Sequence, residues 1–208
     1  MGRKNGCSFG IQLKKHIVDS TALLAVATPV LAGLETTLLG MSDKVSINAR
    51  LLSACVTYGG TGYLVARGRD LYRKIMKVED SSKERVQQFH DSLYSALFNL
   101  VTTPPLYYAS GARDLGAIVN GTFLGIGLGL VSGGLVGYFI DTYRDLTGIK
   151  ESQRVPSIIR NRSPKFKLGV AAIITAASVG LAYSIYIATP DKLQNKLTTP
   201  GNIIYKAK

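Results

Sequence analysis

The apolar residues of this chain come in blocks. Residues 92–112, 115–140 and 168–190 contain no Asp, Glu, Lys or Arg, and about 20 such residues are what a helix needs to cross roughly 30 Å of hydrocarbon. Two further stretches, residues 17–40 and 45–66, are as long and mostly apolar, but the first carries Asp19 and Glu35 and the second Arg50. The pattern predicts five transmembrane helices. A secretory signal is the rival reading for the first, and its length and lack of an A-x-A-like site argue against it.

Shifting the chain by 75 residues superposes the end of the second predicted span on the end of the fourth without a gap. Gly59, Gly62, Tyr63, Arg69, Asp70 and Leu71 fall on Gly134, Gly137, Tyr138, Arg144, Asp145 and Leu146, and Thr28, Pro29 and Leu31 fall on Thr103, Pro104 and Leu106. Two spans return a chain to its starting side, so the copies are parallel, related by an axis along the membrane normal. The expected fold is an all-α membrane protein. Two parallel two-helix repeats, residues 17–76 and 91–148, form a four-helix bundle over residues 17–147. Residues 1–16 form a basic arm, 148–165 a basic linker, 166–190 a fifth transmembrane helix and 191–208 a tail.

With 25 Lys and Arg against 13 Asp and Glu, the formal charge is +12, which invites a nucleic-acid reading. The basic residues are instead sorted by loop. They cluster before the first span and after the second and fourth, while Lys44 and Arg113 stand in the two opposite turns. The positive-inside rule then places the N-terminus and both long loops in the cytoplasm. Cys7 and Cys55 fall in different predicted environments, and His16 and His90 lack the partners a metal site needs. No metal or cofactor is expected, and His16 and His90 are read as solvated at the interface.

The fourth span repeats glycine every fourth residue, at Gly121, Gly125, Gly129, Gly133 and Gly137, leaving a helix stripe bare for close packing. Ala172, Ala176, Gly180 and Ser184 offer a matching row on the fifth span; a partner in the first repeat or a second copy of the chain fits equally. Pro29, Pro104 and Pro105 predict bends that expose backbone groups, and Asn99 and Tyr107 add polar groups beside them. Ionisable residues inside a membrane are costly and mark function. Here they form two layers: Asp19, Asp91 and Asp141 with Arg67, Arg69 and Arg144 toward the cytoplasm, and Glu35 with Arg50 toward the outside, where they are placed to pair. Glu35 or Asp141, held in a low-dielectric cavity, is a candidate proton carrier. Anchoring of helix ends at the interface is the plainer role for such charges.

In order along residues 17–147, the segments Ile17-Val18-Asp19-Ser20, Glu35 with Leu39-Gly40-Met41-Ser42, Ala49-Arg50-Leu51, Arg69-Asp70-Leu71 and Gly137-Tyr138-Phe139-Ile140-Asp141 with Arg144 resemble those of the small L-alanine exporters of bacterial inner membranes. The chain departs from them in Gly68 where a tyrosine is expected, in a longer loop, in an expanded spacing from Asp91 to Pro105 and in the fifth helix. The resemblance implies proton-driven export of L-alanine or a similar small amino acid across the cell membrane, with no organic cofactor. The candidate site, read from the intramembrane charges and polar groups, is Asp19, Glu35, Arg50, Asn99, Tyr107, Tyr138, Asp141 and Arg144. The expected partners are the lipid bilayer, the amino acid and protons, with a homo-oligomer left open. The rival class is a non-transporting glycine-zipper scaffold or translocase-like subunit. No nucleophile with its base, phosphate loop or metal cluster points to an enzyme.

Overall fold

The computed structural model describes residues 5–37, 43–109 and 115–188, and within these not the side chains of residues 5–8, 35, 44, 45, 106–109, 117 and 121. All of the regular structure among the described residues is helical: α1 (Asn5–Thr37), α2 (Asp43–Val56), a π-helical turn (Thr57–Thr61), α3 (Gly62–Ile75), α4 (Glu84–Ala109), α5 (Leu115–Leu146), the short α6 (Ser157–Arg160) and α7 (Pro164–Ala188). Three of them contain segments long and apolar enough to cross a membrane: Phe9–Leu34 in α1, Ile118–Leu146 in α5, and Pro164–Ala188. Helix α4 is not among these. Part of its apolar run lies outside the described residues, and its first two turns carry Glu84, Arg85 and Asp91. The stretch set apart as a basic arm is helical from Asn5 onward and continuous with α1.

The second predicted span is broken at the π-turn, where Gly60 adopts φ +139°, a conformation that residues with a side chain rarely reach. Two carbonyls of this turn are also tied to α1. The Ser20 hydroxyl donates to the Thr57 carbonyl at 3.3 Å and His16 Nε2 to the Tyr58 carbonyl at 2.7 Å, so the half-buried His16 also ties α1 to the turn. The prolines, by contrast, sit inside helices that continue through them. Pro29 deprives the Ala25 carbonyl of its intrahelical donor, and the Ser178 hydroxyl of α7 donates to that oxygen at 2.6 Å.

The most extensive helix pair is α4 with α5, followed by α1 with α7 and α1 with α5. The glycine row forms the first of these contacts. A β-carbon at Gly129 would lie 2.7 Å from the Ala96 backbone nitrogen, one at Gly133 2.7 Å from Ser92 Cα, one at Gly125 3.1 Å from Thr103 Oγ1, and one at Gly137 would strike the Asp91 carboxylate. The row therefore packs on its own hairpin partner, α4, and not on the fifth span. Gly121 lies outside the residues whose side-chain surroundings are described. Ala172, Ala176, Gly180 and Ser184 face outward, because α7 turns Ala171, Thr175, Ser178 and Ala182 inward instead. Small size alone did not identify the packed face, since hydroxyl partners set the rotation of α7.

Candidate functional site

The bundle is apolar outside and charged within. Val131 is 82% exposed and Phe123 68%, whereas Arg69, Arg144, Asp19, Asp91 and Asp145 are almost fully enclosed. That inversion is the signature of a surface that does not face water.

The charges gather at the end of the bundle that carries the loops 76–83 and 147–163, called here the loop end. Arg69 and Arg73, one turn apart on α3, reach the α4–α5 hairpin. Arg69 Nε donates to Asp91 at 2.8 Å and its Nη2 to Asp141; Arg73 donates to Asp91 at 2.6 Å and to Asp141 at 3.1 Å. Arg154, from the loop after α5, adds bonds to Asp91 at 2.9 Å and Asp141 at 3.0 Å, grips Glu84 with Nε and Nη2, and lies over the Tyr138 ring. Burial works against the Arg154 charge, but its bonds to Glu84 and Asp141 and the surrounding carboxylates outweigh this and hold its pKa above the ordinary value. On the other side Arg144 makes a fork onto both oxygens of Asp19, at 2.6 and 2.8 Å, and reaches Asp70 at 2.8 Å; Lys15 completes Asp70 at 3.0 Å.

These pairs are reciprocal. Arg69 and Arg144 coincide under the shift of 75 residues, and each crosses to an aspartate on the first helix of the other half, Asp91 or Asp19, and to one on its second helix, Asp141 or Asp70. Tyr63 and Tyr138, also equivalent, each carry an arginine over the ring, Arg67 and Arg154.

One turn and more beyond this layer lies a cavity of about 400 Å³, within the usual range of small-ligand sites. Every helix of the two halves contributes: Leu24 and Ala27 from α1, Arg50 and Ser53 from α2, Thr57 and Thr61 from the π-turn, Tyr94 and Asn99 from α4, Gly129 and Ser132 from α5. Asn99 donates to the Gly125 carbonyl at 2.6 Å, a bond that keeps its amide at the wall. Polar groups on an otherwise apolar wall give the chamber one basic side chain, several hydroxyls and an amide.

The eight residues expected at one site therefore divide. Arg50 and Asn99 line the cavity, Asp19, Asp141 and Arg144 belong to the ion layer, and Tyr138 lies beneath Arg154 at its edge. The side chains of Glu35 and Tyr107, and with them the Glu35–Arg50 pair, lie outside the described residues. Asp141 is not a lone carboxylate in an apolar pocket but the counter-ion of three guanidinium groups. Arg73 and Arg154 also take part, and in the sequence they stand among the basic residues that follow the second and fourth predicted spans. The i, i+4 spacing from Arg69 puts Arg73 on the same face and was a usable signal; nothing local distinguishes Arg154 within its polar loop. No family model, curated protein or solved structure matches the chain.

Proposed function

We propose that this protein is a membrane exporter of L-alanine or a similar small amino acid. In this reading two parallel hairpin repeats rock about the cavity and the ion layer forms the cytoplasmic gate. The observation that carries the proposal is the cavity itself. It lies at the junction of the two halves, is walled by helices from both and contains a broken helix, the setting in which alternating-access transporters hold their cargo. Arg50 is the partner for the substrate carboxylate, and Asn99, Ser53 and Thr61 supply neutral hydrogen bonds. Proton coupling belongs to Glu35 in this scheme, because Asp141 is already matched with arginines. The scaffold alternative rested on the glycine row, and that row is engaged within the α4–α5 hairpin.

The test is efflux of labelled L-alanine from proteoliposomes holding the purified chain. Asn99→Ala is expected to slow efflux by about tenfold, the equivalent of one lost hydrogen bond of ~1.4 kcal/mol at the site. Efflux at the rate of empty liposomes would refute transport of this cargo. Glu35→Gln is expected to uncouple efflux from an imposed pH gradient; undiminished dependence would remove Glu35 from the scheme.

A further inference from the structure

We infer that the segment 147–163 is a removable plug, with Arg154 as its inserted key, that seals the cavity from the loop end. The inference rests on the exporter reading only in treating the cavity as a place of transit.

Helix register sets out three layers. On α5 the cavity wall runs through Ser132 and Val136, and Asp141 follows; on α4 the wall reaches Tyr94, and Asp91 lies one turn on; on α3 Val65 is followed by Arg69 and Arg73. Past the ions a second recess opens, about 640 Å³, walled by Asp70, Arg73, Asp141 and Lys150 among others. The ion layer thus separates the chamber from an open vestibule.

Arg154 thickens that partition from outside the helices. Its side chain is 2% exposed although it comes from a loop. The loop is fastened around it: the Ser152 amide donates to Asp145 at 2.8 Å, the Arg154 amide to Ser152 Oγ at 3.2 Å, Val155 is buried, and Lys150 reaches Asp80 of the other loop at 2.7 Å.

Charge balance makes the key withdrawable. Without Arg154, Asp91 and Asp141 still face Arg69 and Arg73, two charges against two. The carboxylate that Arg154 would abandon is Glu84, which is 41% exposed and open to hydration. Arg69 and Arg73 belong to helix α3 and cannot leave the carboxylates unless that helix moves, whereas Arg154 belongs to a loop. The partition accordingly has a fixed part on α3 and a detachable part on the loop.

The experiment uses the full chain with Cys7→Ser and Cys55→Ser in sealed vesicles. A thiol introduced by Ser81→Cys, in the exposed 76–83 loop, reports which compartment holds the loop end. A second, from Ser132→Cys, reports the cavity wall. A membrane-impermeant maleimide applied from the side where Ser81→Cys reacts is expected to label Ser132→Cys about tenfold faster when Arg154→Ala is present, the ratio given by ~1.4 kcal/mol. Arg154→Lys is expected to fall between. Equal rates with and without Arg154→Ala, in protein that elutes as a single species, overturn the plug. If Arg154→Ala does not fold, Glu84→Gln carries the test, with faster labelling expected and an unchanged rate overturning it. Labelling needs no substrate, so loss of the plug with efflux intact, or the reverse, separates this inference from the exporter reading.

Discussion

At the scale of single residues, the ion layer is held by acceptors that each serve several donors. Asp91 takes bonds from Arg69, Arg73 and Arg154, so its charge, more than its shape, is what the site requires. Asp91→Asn keeps the volume and leaves three buried guanidinium groups on Asp141. Breaking a buried pair from one side costs about 3–5 kcal/mol, and the variant is expected to lose most of its thermal stability in detergent; a melting point within a degree or two of the parent would show that the arginines find other partners. Ser178 offers a finer case. Its hydroxyl answers the Ala25 carbonyl that Pro29 leaves open, so Ser178→Ala should cost about 1 kcal/mol, the net worth of a hydrogen bond. In a Pro29→Ala background the helix supplies its own donor, and the cost of Ser178→Ala should shrink toward zero. An equal cost in both backgrounds would mean that the bond is incidental.

At the scale of helices, the glycines show what a repeat pattern conveys. A spacing of four residues placed Gly125, Gly129, Gly133 and Gly137 on one stripe and pointed to close packing, but it carried no information about the partner, since any helix with small residues satisfies the same geometry. The partner proved to be α4, whose Ser92, Ser95 and Ala96 were not singled out. The row on α7 failed for the complementary reason: hydroxyl groups at Thr175 and Ser178 choose its inward face. The prolines sit inside continuing helices, while the irregular backbone lies at Gly60, in a π-turn whose carbonyls also accept bonds from His16 and Ser20. Such bonds join residues some forty positions apart and leave no trace in local periodicity. Gly129→Leu should push the hairpin apart by at least a side-chain radius and is expected to lower stability by about 2 kcal/mol or more, the scale of overpacking in a tight contact. Gly180→Leu, in open space, should leave the melting temperature near that of the parent.

At the scale of the whole molecule, the internal repeat and the charge layer are one feature. Composition showed that charges enter the apolar segments, and the shift of 75 residues showed that Arg69 and Arg144 are equivalent; neither revealed that each arginine serves the opposite half. Pairing across the halves is a tertiary fact, because it depends on how two hairpins face each other. Its consequence is that the loop end is held together by exchange. Arg144 on α5 ties to Asp19 on α1, and Arg69 on α3 ties to Asp91 on α4, so neither half can move outward at that end without breaking a pair from each. If the two pairs are products of one duplication and perform one task, their coupling energies should agree. Double-mutant cycles measure this directly. Asp19→Asn with Arg144→Gln forms one cycle and Asp91→Asn with Arg69→Gln the other, each read by unfolding in detergent. Residues in one buried network couple by about 0.5–3 kcal/mol, and both cycles are expected in the upper half of that range and within about 1 kcal/mol of each other. The second should be the smaller, because Arg73 and Arg154 also serve Asp91 and cushion the loss. A strong coupling in one cycle beside none in the other would mean that only one crossing bears load, and the symmetric picture of two halves locked by exchanged arginines would fall.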